Sequence, residues 1–197
     1  EVRAFALVPV QRLPNDPTEL AANAVVANRE TWSTQLWGLA VQRTWPASLR
    51  AEAYLLGLHE ADAPGFATNN RRLWTPGLRL WRAPASGRFD GQLDVMAQVG
   101  TSRASSAGKD TQDLRHQAAS LHASAGWTWA APWRPRLALH YDYATGDADP
   151  TDQRNGRFDP LFGARRFDFG PTSLYGALAR SNLNSPGVRL EASPFGN

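Results

Sequence analysis

Phe89-Asp90-Gly91-Gln92-Leu93-Asp94-Val95-Met96-Ala97-Gln98-Val99 alternates without a break: Phe89, Gly91, Leu93, Val95, Ala97 and Val99 share one parity, and Asp90, Gln92, Asp94, Met96 and Gln98 share the other. Successive side chains of an extended strand point to opposite faces, so this stretch has one oily face and one wet face. Slipping the register by one residue would move both carboxylates to the oily side, so the register is strongly specified.

The same rhythm runs outward in both directions. Trp37, Leu39 and Val41 oppose Gly38, Ala40, Gln42 and Thr44, with Arg43 intruding near the end of the apolar face, where it can snorkel to an interface. Leu49, Ala51, Ala53, Leu55 and Gly57 oppose Arg50, Glu52, Tyr54 and Leu56. Further on, Leu121, Ala123, Ala125, Trp127 and Trp129 oppose His122, Ser124, Gly126 and Thr128, and Leu137, Leu139, Tyr141 and Tyr143 oppose Arg136, Ala138, His140 and Asp142. Strands are therefore expected at residues 2–8, 34–45, 49–58, 73–82, 88–100, 114–130, 136–145 and 188–193. Most exceed the five or six residues that are roughly usual in soluble sheets, and they suit a tilted membrane-crossing strand of about ten.

Three tight turns carry proline, at Pro46-Ala47-Ser48, Pro84-Ala85-Ser86-Gly87 and Pro132-Trp133-Arg134-Pro135, while residues 11–31, 59–72, 101–113 and 146–187 form long polar connections at the opposite ends. Short turns at one end and long loops at the other is the build of a transmembrane β-barrel. Aromatic placement agrees. Trp45, Trp127, Trp129 and Trp133 belong to the short-turn ends, whereas Trp37, Trp74, Tyr141 and Tyr143 lie toward the long loops, as two interfacial belts would. Trp37 and Trp45 share a face and, for a tilted strand, bracket roughly 20 Å of membrane height. Trp81 falls on the wet parity and belongs to neither belt.

With 197 residues, 42% hydrophobic and 20% charged, the composition alone does not separate a soluble sandwich from a barrel. No run approaches the roughly 20 apolar residues of a membrane helix. Cysteine is absent, which removes disulfides and cysteine chemistry and fits a periplasmic route. Glu1-Val2-Arg3-Ala4-Phe5-Ala6-Leu7 carries no signal peptide and reads as a strand already under way, so either a signal was removed or the chain is cut from a longer protein, and cutting is the expectation. The net charge is +3, and Lys109 is the only lysine. Arginine grips carboxylate or phosphate bidentately, which suits polyanions, but the arginines are spread rather than clustered, which argues against nucleic acid.

On the wet face stand Arg50, Glu52, Arg79, Asp90, Asp94, His122, Arg136, His140 and Asp142. They read either as cross-strand ion pairs stiffening a wall or as a charged path, with Arg50, Arg79 and Arg136 presenting a field to a passing anion. Enzymatic readings are poor. His59, His116, His122 and His140 lack metal-site spacing, no G-x-S-x-G is present, and Asp90 and Asp94 would lie roughly 13 Å apart along one strand, too far for a glycosidase pair. No catalytic residue and no cofactor is expected.

The most distinctive stretch follows Tyr141-Asp142-Tyr143-Ala144-Thr145, where Gly146 breaks a strand and an acidic turn begins. Asp147, Asp149 and Asp152 resemble an oxygen-ligand set, a weak calcium candidate because no EF-hand glycine and glutamate complete it; Asx-turns and pairing with arginine are the competing use. Phe158, Leu161, Phe162, Phe167 and Phe169 give this loop apolar anchors, so it is expected to fold down onto something.

Tyr141-Asp142-Tyr143, then Gly146-Asp147-Ala148-Asp149-Pro150, then Asn155-Gly156-Arg157-Phe158-Asp159-Pro160-Leu161-Phe162, then Asn182-Leu183 before a strand, closely resembles the alginate export family of outer-membrane proteins. Ala164-Arg165-Arg166 departs from the family's usual continuation. The resemblance implies a bacterial outer-membrane barrel, antiparallel and up-and-down, of about eighteen strands with an arginine-rich lumen for an anionic polysaccharide. The eight strands here would then be a C-terminal part of it, with Pro194-Phe195-Gly196-Asn197 opening another turn. Membrane lipid, an anionic polysaccharide or smaller anionic solutes, and periplasmic export machinery are the implied partners. The rival readings are a soluble β-sandwich carbohydrate-binding module using Trp74 or Trp81 as a sugar platform, and a closed eight-stranded barrel serving as membrane anchor or adhesin.

Overall fold

The computed structural model describes residues 1–11, 13, 17–162 and 181–193. In chain order the elements are β1 (Val2–Leu7), β2 (Val10–Gln11), a short helix α1 (Pro17–Ala21), β3 (Arg29–Glu30), β4 (Thr34–Thr44), β5 (Leu49–Glu60), β6 (Arg72–Arg82), β7 (Arg88–Ser102), β8 (Leu114–Thr128), β9 (Arg136–Ala144), β10 (Arg154–Asn155) and β11 (Leu183–Glu191). The long strands form a meander in the order β1-β4-β5-β6-β7-β8-β9-β11, each antiparallel to its neighbours, and β2 pairs with β3 apart from this sheet.

Two hairpin turns have the same backbone logic. Ala47 and Ser48, and again Trp133 and Arg134, are consecutive residues at positive φ. Two left-handed residues in a row match the right-handed twist of flanking strands, which is why so short a connection holds the register.

The sheet is not closed into a barrel. Among the described residues β1 and β11 stand at opposite edges and do not pair with each other, so the architecture here is an open antiparallel sheet. An eight-stranded barrel has an interior just wide enough for its own side chains. This sheet holds a further layer of main chain, residues 158–161, against one face, and that layer would not fit inside so small a cylinder.

One correction concerns the last strand, expected from residue 188 and observed from Leu183. Pro186 and Gly187 read as breakers, yet Pro186 pairs opposite Tyr141 on an edge strand, where a missing N–H is tolerated. The long connection therefore ends five residues sooner.

Burial is inverted relative to a soluble sheet. Leu93, Val95 and Leu139 are 38%, 43% and 59% exposed, while Gln98 and Thr75 are each 1% exposed and Asp90 7%. The oily parity faces outward and no second sheet covers it among the described residues, whereas a β-sandwich would bury that face. On the outer face Trp37 meets Trp74 edge to face at 5.0 Å near the long loops, and Phe89 meets Trp127 at 4.5 Å near the short turns. Arg43 swings over the Trp45 ring at 5.2 Å, the snorkelling expected of it. Tyr141 and Tyr143 are exposed on the same outer face of β9.

Candidate functional site

The inner face carries the chemistry. Glu52, Arg79, Asp94, His122 and Asp142 are register partners in succession from β5 to β9, so one row across the wall holds five of the residues singled out from the sequence. Within it Tyr54 donates its hydroxyl to Asp94 at 2.8 Å, and His122 Nδ1 lies 2.6 Å from Asp142. Glu52 is bridged by Arg3 of β1. Arg79 sits between Glu52 and Asp94, yet its guanidinium stacks over Trp81 at 4.8 Å and its buried Nε has no hydrogen-bond partner among the described residues. Trp81, which fitted neither aromatic belt, is thus the platform for an inner-face arginine.

The other two arginines differ from Arg79. Arg50 is exposed opposite Trp81 and Thr44, toward the short turns. Arg136 grips the buried Asp90 with two N–H groups and reaches Glu191 at 2.9 Å, so it ties β7, β9 and β11 together. His140 lies beside His122, ring centres 6.3 Å apart, and its Nε2 has no hydrogen-bond partner among the described residues.

Toward the long loops the inner face is covered by the segment that follows Gly146. The chain departs and returns at one point, because the Thr145 carbonyl accepts from the N–H groups of both Phe158 and Asn182 at 3.0 Å. β9 stops opposite Ser120, which leaves the first residues of β8 free on that side, and β10 adds to them in parallel, Arg154 beside Arg115 and Asn155 beside His116. The acidic turn caps itself. Asp149 Oδ1 accepts from Thr151 N–H and hydroxyl at 3.0 and 2.6 Å, Asp152 from Arg154 N–H at 2.7 Å, and Asp147 from Gly156 N–H at 3.3 Å. The Thr151 hydroxyl and backbone bonds hold the Asp149 carboxyl below the usual carboxylate range. Each aspartate closes its own turn, and among the described residues no cluster of metal-ligating side chains forms. Asp149 and Asp152 thus form Asx-turns, and Asp147 reaches across to the start of the covering segment.

Gly156 is explained by crowding, since a Cβ there would lie 2.8 Å from the Gly146 carbonyl oxygen. Pro150 is exposed in the turn. Beyond it Phe158 sinks among Ala118, Ala144 and Leu183 with Met96 alongside, and Leu161 sinks among Leu36, Leu58 and Leu73 with Leu56 alongside. Between these two plugs Gln98 reads the main chain of Asp159. Its Nε2 donates to the Asp159 carbonyl at 2.7 Å and to Thr75 at 3.2 Å, and its Oε1 accepts from the Asp159 N–H at 2.8 Å and from His116 Nε2 at 3.3 Å. That is every hydrogen bond the amide can make.

An ion lock completes the attachment. Arg71 bonds Glu60 through Nε and Nη2 at 2.7 and 2.8 Å and Asp159 through Nη1 at 2.9 Å, with the Phe162 ring 5.5 Å from its guanidinium. Burial opposes the charge on Arg71, but the bonds to Glu60 and the field of Asp159 outweigh it and push its pKa above the usual arginine range. Next to it Arg103 bridges Asp62 at 2.5 Å and lies 3.4 Å from Asp113, which ties the bases of two long loops. The Arg103 bond, helped by the Thr68 backbone N–H, keeps the Asp62 carboxyl below its ordinary value. Under the covering segment Pro160 and Leu161 roof a cavity of about 240 Å³, lined by Asp94, His122 and Met96.

A family model described as Alginate export matches residues 1–197, the whole chain. The chain belongs to the alginate export family. Alginate export proteins are outer-membrane porins and not enzymes. An antiparallel wall, oily outside and polar inside, is what that membership calls for. No curated protein and no solved structure matches the chain.

The residues that mark the alginate export resemblance are the ones that pin the covering segment: Gly146, Asp147, Asp149, Gly156, Phe158, Asp159 and Leu161. Gly163, Ala164-Arg165-Arg166, Phe167, Phe169 and Pro194-Phe195-Gly196-Asn197 lie outside the described residues. Gln98, Arg71, Glu60 and His116 escaped the sequence reading of the site. For Gln98 the only signal was its place on the wet parity, and for Arg71 its place at the end of the connection that opens on Glu60.

Proposed function

We propose that this chain is a section of the wall of an outer-membrane channel that passes an anionic polysaccharide of the alginate kind, or smaller anionic solutes, along its inner face. The observation that carries this reading is the inverted burial: a polar, charged face turned inward and an apolar face turned out with nothing upon it among the described residues. Lipid tolerates no open sheet edge, because unpaired N–H and C=O groups there cost several kcal/mol each, so β1 and β11 are taken to pair with further strands of a barrel of about eighteen. The short turns then face the periplasm, where export machinery would dock, and the long loops face outward.

Transport needs attraction without capture. Arg136 serves the wall, since Asp90 and Glu191 neutralise it. Arg79 and Arg50 are the cations left to a passing carboxylate, and Glu52, Asp94 and Asp142 in the same row keep the polymer from lodging. Planar-bilayer conductance of the full-length protein should favour anions and be blocked by polyuronate. Replacing Arg50, Arg79 and Arg136 together by serine should weaken both effects. The single change Arg79→Ser should carry most of the loss, and Arg136→Ser should instead lower stability, since it strands the buried Asp90. Unaltered anion preference in the triple variant would remove these residues from the role.

A further inference from the structure

We propose that residues 155–162 form a fixed ledge that sets the aperture of the channel, and that Gln98 is the residue that positions it. The proposal rests on the channel reading above and adds to it which part of the molecule determines the size of what passes.

The ledge lies across the strands rather than along them. The Phe158 socket is built from β7, β8, β9 and β11, and the Leu161 socket from β4, β5 and β6, so two plugs three residues apart engage every long strand of the sheet except β1. Gln98 stands between the sockets, 1% exposed, and binds both the N–H and the C=O of Asp159, the first of the two residues between the plugs. Such a contact reads backbone position, not side-chain identity, which is what placing a segment at a fixed height requires. The ledge is also stiff in itself. Asp159 Oδ1 accepts from Leu161 N–H at 2.7 Å, Leu161 holds a positive φ of 54°, and Pro160 between them has its φ locked by its ring.

At its start Asn155 donates to Ser102 Oγ at 3.0 Å, and Ser102 in turn hydrogen-bonds His116 Nδ1 at 3.1 Å. His116 contacts Gln98 from its other nitrogen, so the start of the ledge and its middle at Asp159 are joined through one chain of polar groups. Charge plays a different part. The carboxylate that the ledge brings to the wall, Asp159, is paired with Arg71, which it shares with Glu60, while the ledge's own cation, Arg157, is exposed. With its carboxylate paired, the ledge contributes mainly cross-section, so size selection belongs to it while charge selection belongs to the row of Arg79.

Full-length protein in liposomes and planar bilayers tests this division. Gln98→Met keeps the side-chain volume and removes both bonds to Asp159; Phe158→Ala with Leu161→Ala removes both plugs. Each should raise single-channel conductance by about twofold or more and admit longer neutral oligosaccharides in swelling assays, with anion preference unchanged. Arg79→Ser should do the reverse, shifting anion preference at constant size limit. In the unmodified protein the Asp159 amide should be strongly protected from hydrogen exchange, a readout that needs no variant to fold. Fast exchange at Asp159, or an unchanged size limit in variants that keep the heat-modifiable gel mobility of a folded barrel, overturns the ledge. Unmodified channels without anion preference overturn the transport reading and leave the ledge standing as a size filter.

Discussion

Arg71→Ala is expected to lower the unfolding free energy of the full-length protein by about 3–5 kcal/mol, seen as an earlier denaturant midpoint in micelles. The reason is what remains behind. Glu60 and Asp159 have side chains only 10% and 20% exposed, and without the guanidinium both carboxylates would be held in a poorly solvated place with no countercharge. An exposed pair would behave differently, contributing about 0–1 kcal/mol, so a loss that small would show the lock to be a surface contact. Neutralising all three together, Arg71→Met with Glu60→Gln and Asp159→Asn, should recover most of the loss, since no unpaired charge is then buried. The Gln98 bonds and the two plugs would still hold the ledge in that variant.

Val95→Arg should cost about 2–4 kcal/mol when folding is measured in bilayers, because a guanidinium on the lipid face near mid-membrane has no water to reach. Val95 lies on β7 between the row of Trp37 and Trp74 and the row of Phe89 and Trp127, so it is far from either interface. The same change three residues away at Gln92, on the inner face, should stay within about 0.5 kcal/mol. The contrast matters more than either value. Both positions are half open to their surroundings, and only the nature of those surroundings separates them. Equal tolerance at the two sites would mean that water bathes both faces.

Much of the wall was legible because two independent signals coincide there. Between Thr34 and Ala144 the period-two alternation names the faces, and the proline-marked turns fix where each strand reverses, so the boundaries of β4 to β9 follow within about two residues. Where one signal conflicts with the other the reading fails. Pro186-Gly187 looks like a break, yet β11 runs through it with Pro186 opposite Tyr141 of β9. Closure is not written in the alternation at all, since an open sheet and a barrel place side chains with the same period.

The site divides in the same way. That Phe158, Leu161 and Phe162 would anchor the loop could be seen from apolar residues set in a polar connection, and the first two do so from deep sockets. What they bind could not be seen. Gln98 and Asp159 are 61 residues apart in sequence, and Arg71 and Asp159 are 88 apart. On the local pattern Gln98 is one more polar residue on a wet face, indistinguishable from Gln92. Arg136 shows the converse, for its charge and parity suggested a free cation in the lumen, whereas the carboxylates beside it come from β7 and β11 and only the strand order reveals them.

The central claim is that lipid touches the face bearing Leu93, Val95 and Ala97 while water touches the face bearing Gln92, Asp94 and Met96. The absence of cysteine allows one nitroxide label to be placed at each of residues 92 to 97 in turn. In membranes, relaxation by oxygen should peak at 93, 95 and 97, and relaxation by a water-soluble nickel chelate should peak at 92, 94 and 96. Labels at 93, 95 and 97 that are shielded from both reagents would place that face in a dry protein interior and contradict the account.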